Sequence, residues 1–522
     1  MVNMKNIFIC LITIGCLLSM TSCNKILDTH PTDFSTPDQY YKSEAELNIA
    51  LAGVYSILAS GPFYGSSYIV FLNSGNDENW YRSTNVIGPP VYTFTAGESS
   101  LAGLWKNLYK GINMANALLE NINTPQMDSA NRAAIKGEAL FLRAYYYFIL
   151  VQHWGDVPLK LTSTTAPDDI QYALARTPSK TVYAQIISDM TAADSLVDEI
   201  SSIGFSGRVS KTAVEGILSR VCLYMAGQPV NDVSKYKDAV YWAKKVVDSK
   251  KHTLNPSYSQ IFINECQNLY DTKECIWEAE FFGNSSAATG GANGAYGSVG
   301  IFLGVPCTDL NIGYCYGFVY AMGLLYKSFD ATDNRRDWVV APYIYSGTNK
   351  VAVATTQYYS RFPGKWRREY EQLTPKTKAT CGTNFPILRY ADVLLMLAEA
   401  ENEVNGPTNA LQYLNLVRTR AGLSAYLPTN NAVNTQDGFR KSIQDERYKE
   451  LAYECLRTMD LVRWGLLLTN TKAAAADIVL NAAAGFQFGA KAGTNITARN
   501  VLWPIPTYEL TLNNKLTQNP GW

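Results

Sequence analysis

The chain has 522 residues, with 45 Lys and Arg set against 45 Asp and Glu, and only 3 His. That length buries an ample core and leaves room for two or three domains. A net charge of zero gives no sign of a nucleic-acid binder, and the 34 Tyr and 10 Trp suit either flat ring faces at a wet surface or dense helical packing.

The first residues read as an address rather than as fold. Lys5 gives a small positive region, and an apolar stretch from Ile7 to Leu18 follows, broken by Thr13 and Gly15. A bilayer span needs roughly 20 apolar residues, so residues 1–22 are expected to be a secretory signal that is removed. Thr21-Ser22 directly before Cys23 is similar to the processing site of bacterial lipoproteins, in which the Cys sulfur carries lipid. Asn24, Thr29, Pro31 and Thr32 then make residues 23–34 a polar tether. No later segment is apolar for long enough to cross a membrane. With Cys10, Cys16 and Cys23 set aside, Cys222, Cys266, Cys275, Cys307, Cys315, Cys381 and Cys455 remain, an odd number that leaves at least one unpaired in a monomer. Cys266 with Cys275, or Cys307 with Cys315, could close small loops in an exported protein; buried free thiols fit as well.

Helical periodicity dominates the body. From Asn131, Phe141, Ala144, Phe148 and Val151 recur on one face with Glu138 and Arg143 among the polar positions, and Gly155 and Pro158 end the run. Helices are expected over Ser179–Val197 and Ser210–Ala226, and another around Val240, Ala243 and Val247. Val393, Leu397, Ala400 and Val404 mark a helix that stops at Gly406-Pro407, and Ala410, Leu414 and Val417 mark the next. These read as helix pairs joined by short turns. Ala144 to Phe148 and Trp105 to Leu108 echo tetratricopeptide spacings, without a strict 34-residue period. The expected fold is therefore mostly all-α: tetratricopeptide-like hairpins forming a scaffold that carries long irregular loops rich in Gly and aromatics. Those loops are residues 61–97, 283–320 and 345–384, the second setting Tyr296, Tyr314, Tyr316 and Tyr320 among glycines. Loops of this length in a compact protein are commonly functional.

Catalytic chemistry finds little material. His30, His153 and His252 are scattered, and there is no C-x-x-C, G-x-S-x-G or phosphate-loop motif. Glu446, Glu450 and Glu454 stand at i, i+4 and i+8, a spacing of interest because glycosidases need two carboxylates. All three would project from one side of a helix, and Arg447, Lys449, Arg457 and Arg463 are interleaved with them, which points to structural ion pairs. Asp330, Asp333, Arg335, Arg336 and Asp337 read as helix cap and ion pairs too. No catalytic residue, metal ligand or cofactor is expected. Asn76-Asp77-Glu78-Asn79-Trp80-Tyr81-Arg82, by contrast, offers ring faces and hydrogen-bonding edges within seven residues. A pyranose presents C–H patches to the first and hydroxyls to the second, which makes Asn76, Asp77, Trp80, Tyr81 and Arg82 candidate ligand contacts.

Several blocks resemble one family. Phe385-Pro-Ile-Leu-Arg-Tyr-Ala-Asp-Val-Leu-Leu-Met-Leu-Ala-Glu-Ala-Glu-Asn-Glu403, the stretch from Ala410 to Gly422, Glu446 to Gly465, and Leu502-Trp-Pro-Ile-Pro506 with the ending Gln518-Asn-Pro-Gly-Trp522 are similar to blocks of SusD/RagB proteins. Gly137 to Ala144, Trp154 to Pro158, Trp105 to Asn116 and Cys23 to Asp28 agree in order. One departure is Cys455, where a small residue, often Gly, is more usual; another is the lack of an acidic run after Cys23. The resemblance implies one mostly helical domain over residues 35–522, with an N-terminal part of about 35–260 and a C-terminal part of about 261–522. It implies a non-catalytic lipoprotein at the outer membrane, facing outward, that passes oligosaccharides to a SusC-like TonB-dependent transporter. A peptide-binding member of the family is the alternative, and a lipid-anchored glycosidase the more distant one. The resemblance also draws the central loop into the ligand site, at Tyr296, Tyr314 and Tyr316.

Overall fold

The computed structural model describes residues 40–164, 173–281 and 297–522. The signal segment, Cys23, the tether and Tyr296 lie outside the described residues. Most of the described chain is helical. Helix α1 (Glu44–Tyr55) opens on Ser43, whose hydroxyl accepts from the Glu46 N–H while the Glu46 carboxylate accepts from the Ser43 N–H. This reciprocal cap is what a Ser-x-x-Glu spacing provides. Helices α2 (Ser99–Asn121) and α3 (Ser129–Trp154) form the first long hairpin. Asp128 caps α3 by accepting from the N–H groups of Ala130 (2.8 Å) and Asn131 (3.1 Å), and Gly155, at φ +70°, ends it. Then come α4 (Ser179–Asp194), α5 (Lys211–Ala226), α6 (Lys235–Asp248) and α7 (Tyr258–Gln267).

Neighbours in sequence are neighbours in space: α1 packs on α2, α2 on α3, α3 on α4, α4 on α5 and α5 on α6. The series continues through α6 onto α8 (Tyr390–Asn405), and α8 packs on α9 (Pro407–Arg420) and α10 (Gln436–Glu450). Gly406, at φ +83°, stops α8, and Pro407 starts α9 with no N–H to leave unbonded. Helices α11 (Arg457–Arg463) and α12 (Leu467–Asn481) follow. The scaffold of stacked helical hairpins is thus present, with irregular spacing.

Helix α3 departs from the one-faced pattern of its sequence. From Gly137 to Trp154 every residue is buried, because α1, α2 and α4 enclose it. Its polar side chains survive there by pairing. Arg143 holds Asp189 through Nε (2.8 Å) and Nη2 (2.9 Å) and gives Nη1 to Asn116. Glu138 accepts from the Tyr55 hydroxyl at 2.5 Å and from Arg208.

The strands are short and pair two by two, all antiparallel: β1 (Asn79–Tyr81) with β3 (Val319–Ala321), β2 (Cys275–Ala279) with β6 (Phe385–Arg389), and β4 (Tyr343–Ser346) with β5 (Asn349–Ala352). Strand β6 runs straight into α8, so β2 ties the central region to the C-terminal helices. All seven cysteines that follow Cys23 are free thiols, and neither small disulfide loop is closed. Among the described residues no helix is long and apolar enough to cross a membrane.

Candidate functional site

Pairing of β1 with β3 decides where the aromatic loops meet. Trp80 lies opposite Tyr320 and Tyr81 opposite Val319, and the Arg82 N–H donates to the Phe318 carbonyl at 2.8 Å. Side chains alternate across a strand, so Trp80 and Tyr81 go to opposite faces. The Trp80 ring turns inward, 1% exposed, against Tyr320 (4.7 Å between centroids), Phe488 (5.1 Å) and Phe486 (6.3 Å). Tyr81 stays half-buried and stacks on Phe318, with centroids 5.8 Å apart and planes 17° apart.

From Phe318 the rings continue. Phe318 stacks on Tyr316 at 5.2 Å and 12°, and Tyr316 meets Tyr314 edge-on at 4.8 Å. Phe302 supports Phe318 from the side at 4.7 Å, and Phe71 meets Tyr81 edge-on at 6.0 Å. The N–H groups of Tyr316 and Phe318 donate to the carbonyls of Ile301 (2.9 Å) and Phe302 (3.2 Å), which fixes the row on a short helical turn. Each of Tyr81, Phe302, Tyr314, Tyr316 and Phe318 is partly open to solvent. Arg82 is exposed beside them, its Nη2 donating to the Tyr316 carbonyl at 3.0 Å. The result is a row of half-exposed rings packed on one another, with a guanidinium at its edge.

Four of the residues singled out in the sequence, Tyr81, Arg82, Tyr314 and Tyr316, therefore sit together. Asn76, Asp77 and Trp80 take another place: they are 2%, 5% and 1% exposed and engaged within the chain. Asn76 donates to the Thr458 hydroxyl at 3.0 Å. Asp77 receives Arg457 through Nε (2.9 Å) and Nη2 (2.7 Å), and Asn470 at 2.9 Å. The hydrogen-bonding edges that made this loop attractive are spent on fastening it to the C-terminal helices. Glu78 beside them accepts from the Tyr453 N–H at 2.5 Å, and burial pushes its carboxyl up to about 8. Phe302, Phe318 and Phe71 did not stand out in the sequence. Phe318 had a signal, since Tyr314, Tyr316, Phe318 and Tyr320 put an aromatic at every second position, although Tyr320 joins Trp80 rather than the row.

Glu446, Glu450 and Glu454 are buried at 1%, 0% and 5% exposure. The helix ends at Glu450, so Glu454 belongs to the turn beyond it. Arg389 reaches Glu274, Glu450 and Glu454, and Arg335 reaches Asp333, Glu446 and Glu450. Arg418, Arg420 and Lys365 complete the network. Burial alone would raise the Glu450 carboxyl, but Arg420, Arg389 and Arg335 overrule it and hold the group well below the usual carboxylate range. Carboxylates so engaged do not flank an open sugar site. His153 stacks on Trp503 at 3.9 Å, and burial lowers it to about 3. His252 spans Thr272 and Thr212, and burial lowers it to about 4. Both imidazoles are thus neutral and structural. Among the described residues, Glu265, Cys275 and Glu278 could by position hold a metal ion, with donor atoms within 4.8 Å of one another. They are buried, the Cys275 thiol donates to Glu278 at 3.1 Å, and burial lifts Glu278 to about 7.

Two family models match the chain, one described as the SusD family over residues 338–522 and one as starch-binding and associating with the outer membrane over residues 25–223. The chain belongs to the SusD/RagB family. SusD-like protein P25 of Formosa agariphila is 28% identical over 96% of either chain. The starch-binding protein SusD of Bacteroides thetaiotaomicron is 23% identical, over 85% of this chain and 83% of that one. A crystal structure of a SusD homolog from B. thetaiotaomicron superposes with a TM-score of 0.86 at 27% identity, covering 93% of this chain and 98% of its own. Both matched ends of this SusD/RagB chain meet at the Asp77–Arg457 pair.

Proposed function

We propose that this protein is a non-catalytic glycan-binding lipoprotein that delivers oligosaccharides to a TonB-dependent transporter of the outer membrane. The observation that carries the reading is the row Tyr314, Tyr316, Phe318 and Tyr81, with Arg82 at its edge. Successive half-exposed aromatic rings suit successive sugar rings, whose C–H patches pack on aromatics while their hydroxyls find donors at the rim. Starch binding in the name of the B. thetaiotaomicron relative supports the ligand class, and the outer-membrane association in the matched family description supports the location. Cys23 would carry the lipid, residues 23–34 would tether the body, and residues 35–522 would act as one receptor unit. A SusC-like transporter is the partner that the family assignment favours.

Binding calorimetry and affinity electrophoresis against a polysaccharide panel test this. Tyr316→Ala and Tyr81→Ala are expected to weaken a bound glycan by about 1–3 kcal/mol for each ring lost, on the scale of base–aromatic stacking, with unfolding temperature little changed. No reducing ends should appear on incubation. Binding of peptides and of no glycan would move the assignment to the peptide-binding branch. Release of reducing ends by the purified chain would replace it with a glycosidase.

A further inference from the structure

The chain as a whole is electrically neutral, yet charge around the ring row is lopsided. Arg82 and Lys378 are both exposed beside it. Arg82 bonds to the Tyr316 carbonyl, and Lys378 Nζ lies 5.1 Å from the Tyr314 ring centroid. Neither has an acidic partner within 4.0 Å among the described residues. Beneath Tyr314, Arg368 donates Nη1 to the carbonyls of Tyr314 and Thr377, both at 2.7 Å. Its Nη2 is buried and has no hydrogen-bond partner among the described residues. Lys376 Nζ donates to the carbonyls of Ile312 (3.0 Å) and Arg368 (2.8 Å), which adds a second buried-side cation without adding an acid.

The acids of the same segments are already engaged. Glu371 takes Arg368 Nε at 2.7 Å, and Glu369 takes Lys350 and the Tyr345 hydroxyl. Asp309 accepts the N–H groups of Asn311 (2.8 Å) and Ile312 (3.0 Å), which orients it and leaves one negative charge against those of Arg82, Lys376 and Lys378. The rim of the ring row therefore carries more positive charge than its own acids neutralise, in a protein whose total charge is zero.

We infer that the ring row selects glycans bearing negative charge, with uronate carboxylates or sulfate esters held by Arg82 and Lys378 while the sugar rings lie on Tyr314, Tyr316 and Tyr81. This rests on the glycan-binding reading and names the substrate class for it. A guanidinium presents paired N–H donors that match the geometry of a carboxylate or a sulfate, and an ammonium acts as a point charge. A single exposed ion pair adds little. Two cations along a repeating anionic polymer act together, and the field of Lys376, which bonds only carbonyls, reinforces them.

The test uses the mature protein and four probes: polygalacturonate for the carboxylate, κ-carrageenan for the sulfate ester, and amylose and laminarin as neutral glucans. Calorimetry at about 20 mM salt, where the screening length exceeds about 20 Å, is compared with about 500 mM, where it falls to about 4 Å. At low salt at least one acidic probe is expected to bind about tenfold or more tightly than either neutral glucan. That advantage should collapse at high salt, and the Arg82→Gln/Lys378→Gln double variant should remove most of it with the unfolding temperature unchanged. Which acidic probe binds then identifies the anionic group. Neutral glucans binding as tightly as both acidic probes, or no acidic probe binding at all, would overturn the inference while leaving glycan binding itself to stand or fall on the glucans. An unaltered acidic affinity in the double variant would overturn it too. Tyr316→Ala separates the two levels: if it leaves every probe unaffected, the ring row is not the site and the underlying reading fails as well.

Discussion

Trp80 and Tyr81 are chemically similar neighbours with opposite fates, and one peptide step on a strand separates them. Trp80 packs against Tyr320, Phe486 and Phe488, and Gly489 lies so close that a Cβ there would sit 2.5 Å from the Trp80 ring. Removing that ring opens a cavity worth about 3–5 kcal/mol, so lost binding in Trp80→Ala would report a damaged frame rather than a lost contact. Cys455 illustrates a different constraint. It sits at φ +60°, the left-handed region that favours glycine. Glu78 makes the residue-scale prediction. Its carboxyl is neutral in the folded state up to about 8 because burial penalises the charge, whereas in the unfolded chain it ionises near 4.3. Between those values the unfolded state releases the proton and the folded state keeps it, so stability falls as pH rises through that window. Glu78→Gln keeps the acceptor for the Tyr453 N–H and has no proton to lose. Urea unfolding at pH 5 and pH 8 should show a shallower decline for the variant than for the parent, and parallel declines would refute the assignment.

At the scale of elements, buried charge pairs join the turn that follows α10 to the strand β6, inside an apolar core that both share. Arg389, at the end of β6, donates Nε and Nη2 to Glu454 (2.9 and 2.7 Å) and Nη1 to Glu274 (2.8 Å) and Glu450 (3.0 Å). A buried pair contributes little net stability while complete, but breaking it strands a charge in low dielectric. Glu450→Gln would leave Arg389, Arg335 and Arg420 under-compensated and is expected to cost about 3–5 kcal/mol, read as a lower urea midpoint with a similar slope. A change below 1 kcal/mol would mean that water or a neighbouring acid replaces the carboxylate. The interleaving of Glu and Arg from Glu446 to Arg463 marked the segment as one of ion pairs, but the interleaved cations pair elsewhere: Arg447 with Asp392 and Asp460, Lys449 with Asp445, Arg457 with Asp77, and Arg463 with Glu399 and Asp460. What it could not announce is that Arg335, Lys365 and Arg389 arrive from distant segments to pair with Glu446, Glu450 and Glu454.

At the scale of the molecule, helix starts and stops were legible because their causes are local. Gly155, Ser210 and Gly406-Pro407 each act within a few residues of where they stand. The lipid anchor is also a local signal, and it yields a whole-molecule prediction. Cys23→Ala should move the protein from the membrane fraction to the aqueous phase in detergent partitioning, with glycan affinity unchanged; persistence in the membrane fraction would place the attachment elsewhere.

The sequence by itself determined the helical scaffold, its breaks and the family blocks, because periodicity, capping and turn chemistry act over three to seven residues. It also marked the two aromatic segments whose strands pair as β1 and β3. Only the tertiary structure decided which rings in them face water. That choice rests on β1 pairing with β3 across more than two hundred residues, and on Arg457 drawing Asp77 inward. Burial of a loop depends on partners that its own residues do not encode.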